Sequence, residues 1–172
     1  MSEGRLMKLN GRMDMIGLMR RLRCQRELTL MGLYKGQYGI LDYVLRNPGC
    51  TQREIADHMA VTASSVAKST ARMQRAGLLS KNVNESNLRC NKLYITDEGE
   101  RISRQTRELF DRMDLKMFEG FSEEEIGLLE SFLNRIINNM TESPEDAGDF
   151  NFEKICALRK RLRENEKEDG QD

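Results

Sequence analysis

The 172-residue chain has no tryptophan, two prolines and one histidine. The prolines stand in "RNPGC" (Pro48) and "TESPEDAGD" (Pro144), so both mark loops and neither breaks a helix. The four cysteines, Cys24, Cys50, Cys90 and Cys156, are scattered and form no CxxC pair. With His58 as the lone imidazole they offer no zinc set, and free thiols in a reducing compartment are expected. No apolar run is long enough to span a membrane. The basic start, "GRLMKLNGRMDMIG", holds no stretch of signal-peptide length, so a cytoplasmic protein is expected. A Gly-rich phosphate loop, a nucleophile elbow and a metal cluster are all missing. The reading is therefore no enzyme, no cofactor and no metal. His58 is expected to touch phosphate or cap a surface rather than do acid–base work.

What the chain has is charge, unevenly placed. The formal net charge is zero, with 28 Lys and Arg against 28 Asp and Glu. Residues 1–92 carry sixteen cations against seven acids, whereas residues 93–172 carry twelve against twenty-one. A basic first half and an acidic second half suggest that the first half faces nucleic acid.

Apolar spacing predicts a long helix over about 5–29 and a second over about 35–46 that buries Tyr38, Leu41, Val44 and Leu45. "NPG" ends the second. Thr51-Gln-Arg-Glu54 is a capping box opening a short helix to about residue 59. Thr62 can cap the next helix, about 63–76, which stops at Gly77. Leu78 to Val83 and Lys92 to Thr96 read as two short strands joined by a polar, basic-tipped loop. A helix over about 97–119 follows. After the capping box Ser122-Glu-Glu-Glu125, another helix is expected to bury Ile126, Leu129, Phe132, Leu133, Ile136, Ile137 and Met140. Beyond Pro144 come an acidic linker, a short helix carrying Phe152 and Ile155, and a charged tail expected to be disordered.

The helix over 63–76 hides little. Ala63, Val66, Thr70 and Met73 recur at helical spacing and should face inward. Ser64, Ser65, Lys68, Ser69, Arg72 and Arg75 remain outside. A helix turned outward with small hydroxyls and long cations suits a major groove, where Lys and Arg reach phosphate or guanine and Ser bonds either backbone or base. A surface for a protein partner would show aromatic anchors instead. The short preceding helix gives helix-turn-helix spacing. A strand loop bearing Arg89 and Lys92 can enter the minor groove. The fold class read from these parts is mainly α with a small β-wing: a winged helix-turn-helix lobe plus a helical dimerisation region. The candidate DNA-contacting residues are Thr62, Ser64, Ser65, Lys68, Ser69, Arg72, Arg75, Arg89 and Lys92.

The segments "YKGQYGIL", "PGCTQREIADHM", "VTASSVAKSTARMQRAGLL", "LYITDEGE" and "FEGFSEEEIGLLESFLNRI" follow one another in this order. Together they resemble the MarR family of bacterial transcription regulators over about residues 6–140. The chain departs from the family's Asp-x-Arg at the wing tip, where Asn87, Leu88 and Arg89 stand. It also has Ala67 and Lys68 where Thr and Arg are common. The resemblance implies a homodimer, with residues 6–34 and 97–140 as the helical dimerisation region and 35–96 as the DNA-binding lobe. Residues 141–172 lie beyond it. A ligand-responsive repressor on a pseudo-palindromic operator is implied. So is a pocket for a small aromatic or anionic effector, which Met15, Met19, Tyr34 and Tyr38 are candidates to line. Two alternatives remain: an architectural winged helix without regulation, and a redox-sensing repressor using Cys24 on the first helix.

Overall fold

The computed structural model describes residues 3–34, 36–83, 91–141 and 152–168. The described elements are α1 (Glu3–Leu30), α2 (Gln37–Arg46), α3 (Gln52–His58), α4 (Ala63–Arg75), β1 (Leu79–Val83), β2 (Asn91–Ile95), α5 (Asp97–Met117), α6 (Glu123–Met140) and α7 (Phe152–Glu168). The fold is mainly helical with one antiparallel two-stranded sheet, in which Leu79 pairs with Ile95 and Lys81 with Leu93. Cys50 forms an isolated bridge to Leu93, so the segment before α3 lies along the sheet's second edge.

Local chemistry sets most of the boundaries. Thr51 Oγ1 accepts from the Glu54 amide, and the Glu54 carboxylate accepts from the Thr51 amide at 2.6 Å, which completes the capping box. The same bonds from Thr51 hold the Glu54 carboxyl below its ordinary pKa. Ser122 and Glu125 repeat the arrangement at α6. Gly77, at φ +73°, supplies the left-handed residue just past the end of α4.

The core lies in the lobe. Leu41, Val44 and Ile55 from α2 and α3 meet Val66 and Met73 from α4 and Leu93 from β2, all almost fully buried. Helix α5 packs on α2, and Tyr38 meets Phe110 edge to face at 4.9 Å. Tyr38 and Leu45 are half-buried, while Ile40 takes a core place that the sequence pattern did not give it.

Three expectations differ from the structure. Ala63 is exposed, because the first residue of α4 precedes the turn that meets the core. Helix α6 has no buried residue, with Ile126 and Leu129 half-buried and Phe132, Leu133, Ile136, Ile137 and Met140 exposed among the described residues. Helix α7 runs to Glu168, well past a short helix. Its Arg, Lys and Glu residues are good helix formers and extend it without needing a core.

Candidate nucleic-acid interface

Helix α4 is held from behind and left open in front. Thr62 caps it, accepting from the Ser65 amide at 3.2 Å, and its hydroxyl lies 3.3 Å from that of Ser64. Val66, Thr70 and Met73 are buried. The Thr70 hydroxyl donates to the Val66 carbonyl at 2.9 Å and accepts from Gln52 Nε2 at 2.8 Å. That bond ties the first residue of α3 to the middle of α4 and sets the angle between the two helices. Helical spacing turns Thr70 inward but does not reveal this partner, because Gln52 reads as an ordinary first-turn residue.

The opposite face shows the expected residues. Thr62, Ser64, Ser65, Lys68, Arg72 and Arg75 are exposed, whereas Ser69 is half-buried in a cleft with Ile40, Met59 and Val61. No acid occurs in α4. Among the described residues, Lys68, Arg72 and Arg75 have no carboxylate partner. Cations on the neighbouring elements do: Arg53 pairs with Asp57, Arg104 with Glu100, and Arg46 and Arg107 share Asp42. Hydrogen bonds that the Arg107 guanidinium donates to Tyr38 and Asp42 raise it above its ordinary pKa. The positive charge of α4 is thus left uncompensated, which favours an anion in front of it.

Arg72 is not simply extended. Its guanidinium carbon lies 4.6 Å from the centroid of the Tyr34 ring, a cation–π contact across the α1–α2 connection. No sequence signal linked these two residues. Lys92 is exposed on β2 opposite Asn82. Arg89, with Asn87 and Leu88, lies outside the described residues.

The four residues proposed for an effector pocket do not converge. Met19 lines a cavity of about 190 Å³ between α1 and α5 with Ile16, Arg20, Met113, Asp114 and Met117. Met15 is exposed on α1 and Tyr34 lies beneath Arg72. Tyr38 borders a different cleft with Asp42, Tyr43 and His58. The His58 ring itself stacks on Tyr43 at 4.5 Å.

Cys24 is half-buried on α1, Cys50 and Cys156 are buried, and Cys90 lies outside the described residues. Burial, and then the nearby Glu54, push the Cys50 thiol up to about 11. At pH 8 its thiolate fraction is on the order of one in a thousand. Iodoacetamide mapping by mass spectrometry should therefore modify Cys50 about a hundredfold faster in denaturant than in the native protein. Equal rates would show that the Cys50 strand edge opens readily.

Among the described residues no group of His, Cys, Asp and Glu could hold a metal, and no helix is long and apolar enough to cross a membrane. Comparison with known proteins agrees with the geometry. The model of the MarR family matches residues 28–89. The chain is 28% identical to the HTH-type transcriptional regulator BilQ of Clostridium symbiosum over 113 residues, which is 66% of this chain and 78% of BilQ. It is 27% identical to the transcriptional regulator HosA of Escherichia coli O157:H7 over 116 residues, 67% of this chain and 84% of HosA. The structure of a MarR family protein from Bacillus stearothermophilus superposes with a TM-score of 0.65 at 25% identity, covering 83% of this chain and 99% of that one. BilQ and HosA are both transcriptional regulators.

Proposed function

We propose that the chain is a homodimeric, effector-responsive repressor of the MarR family, whose model matches residues 28–89 and whose regulators it resembles in sequence and fold. The observation that carries the DNA contact is the outward face of α4, where three cations and three hydroxyl side chains stand with no acid among them. In a two-fold dimer the two α4 helices would enter successive major grooves about 34 Å apart on a pseudo-palindrome. Residues 6–34 and 97–140 would form the dimerisation region and 35–96 the DNA-binding lobe. Residues 141–172 would lie outside both.

The unpartnered apolar faces support the dimer. Leu128, Phe132, Leu133, Ile137 and Met140 on α6, together with Leu6, Leu9 and Ile16 on α1, are all exposed in a single chain. Large apolar side chains repeated along one helix and left open to water commonly mark an interface. The cavity containing Met19 supports a site for a small aromatic or anionic effector, with methionine walls and the Arg20–Asp114 pair at its edge. A ligand that favours one spacing of the two lobes by ~3 kcal/mol would change operator occupancy about a hundredfold.

Selection of preferred duplexes from a random pool tests the reading, since a specific operator should emerge at fixed salt. On that operator, Lys68→Ala and Arg72→Ala should each cost ~1–3 kcal/mol and relax sequence preference if the side chain reads a base. Arg75→Ala should weaken all duplexes alike and flatten the salt dependence, as a phosphate contact does. Parent-like affinity in all three variants would move the contact away from α4.

A further inference from the structure

Core packing does not account for the Tyr34 ring, which is 56% exposed in the connection between α1 and α2. Its main chain is nevertheless held on both sides. The Tyr34 amide donates to Gln37 Oε1 at 2.8 Å, and the Tyr34 carbonyl accepts from the Gln37 amide at 3.0 Å. Gln37 is buried, and so is Leu33, whose amide bonds to the Leu28 carbonyl at 2.8 Å. The ring therefore projects from an anchored backbone. Arg72 lies over it, 4.6 Å from the centroid. Ser65, Ser69 and Arg72 recur at helical spacing, and both serines share a cleft with Gly36 and Ile40. Arg72 thus occupies the flank of the outward face of α4 that borders α2. Lys68 and Arg75 are its neighbours along the helix and repel it. The ring face supplies an opposing attraction.

We propose that Tyr34 is a positioning residue for DNA binding, holding the Arg72 guanidinium at the flank of α4 where that group donates to DNA. The inference rests on the α4 contact proposed above. A long arginine side chain loses rotamer freedom when it is fixed on a partner. Held over a ring, it is partly ordered before DNA arrives, and less remains to be lost on binding. The N–H donors lie in the guanidinium plane. Stacking on one face therefore leaves its edge free for a phosphate or a guanine.

Operator affinity of the full chain, read by fluorescence anisotropy, tests this in a double-mutant cycle on Tyr34 and Arg72. Tyr34→Leu removes the π face and is expected to weaken binding about tenfold in a dimer, which carries the contact twice. Tyr34→Phe keeps the face and should recover most of that loss. In an Arg72→Ala background, Tyr34→Leu should add less than about twofold. A purely structural role would cost the same in both backgrounds. The ring is exposed, so these substitutions spare the core, and thermal unfolding of each variant confirms its fold. The proposal is overturned if Tyr34→Leu binds at least as well as the parent, if its loss persists without Arg72, or if Tyr34→Phe fails to recover it. Should Lys68→Ala and Arg72→Ala still bind weakly, each of those results leaves the α4 contact standing. Parent-like binding by Lys68→Ala, Arg72→Ala and Arg75→Ala overturns both.

Discussion

Replacing Ile136 by aspartate is expected to turn a dimer into monomers that bind the operator about a hundredfold more weakly. Ile136 is 38% exposed and Phe132 52% exposed, and among the described residues no α6 side chain is buried. If the chain worked alone, a surface substitution there would change stability by less than about 0.5 kcal/mol. In a two-fold interface the same carboxylate is buried without a partner, at a cost of about 2 kcal/mol or more. Symmetry repeats that cost in the second protomer. Asn134→Asp adds the same charge to the polar side of α6 and should leave assembly intact. Sedimentation equilibrium at micromolar protein, followed by titration of the operator duplex, separates the cases. A parent that sediments as a monomer, or an Ile136→Asp variant that remains a dimer, removes the interface from α6.

The sequence carried those features whose cause is local. Thr51, Thr62 and Ser122 each fix a helix start through a hydroxyl and an amide three residues on, so α3, α4 and α6 begin where the spacing predicts. The outward face of α4 was legible for the same reason, because a helical period sorts Lys68, Arg72 and Arg75 from Val66 and Met73. What was not legible depends on approach between distant segments. The Tyr34 ring beneath Arg72 and the Gln52 bond to Thr70 leave no trace in spacing. Neither does the scatter of Met15, Met19, Tyr34 and Tyr38 among separate surfaces. The stripe on α6 is legible as apolar, but its expected burial is not seen among the described residues, because burial depends on what packs against a helix and not on its own spacing.

Gly99→Ala is expected to lower the unfolding free energy by about 2–4 kcal/mol, although alanine is the better helix former. In an open helix the change stabilises by about 0.5–1 kcal/mol. Here a Cβ on Gly99 would stand 2.1 Å from the Leu78 carbonyl oxygen and 2.8 Å from Ile95 Cγ1. The oxygen cannot easily give way. Leu78 is buried, its carbonyl accepts from the Thr96 amide at 3.2 Å, and its own amide bonds to the Met73 carbonyl at 2.9 Å. The Thr96 hydroxyl reaches the Gly77 carbonyl at 2.6 Å while capping α5 through the Gly99 amide. The junction of α4, β1 and α5 is therefore pinned on each side of the added methyl. Relief must come from shifting α5 or the strand, and either shift disturbs the seat of α4. Gly127→Ala is the matched control, because a Cβ there meets nothing within 4 Å. Denaturant titration should place the two variants on opposite sides of the parent, with Gly99→Ala also losing operator affinity. If Gly99→Ala matched or exceeded the parent in stability, the close approach of α5 to Leu78 would be wrong.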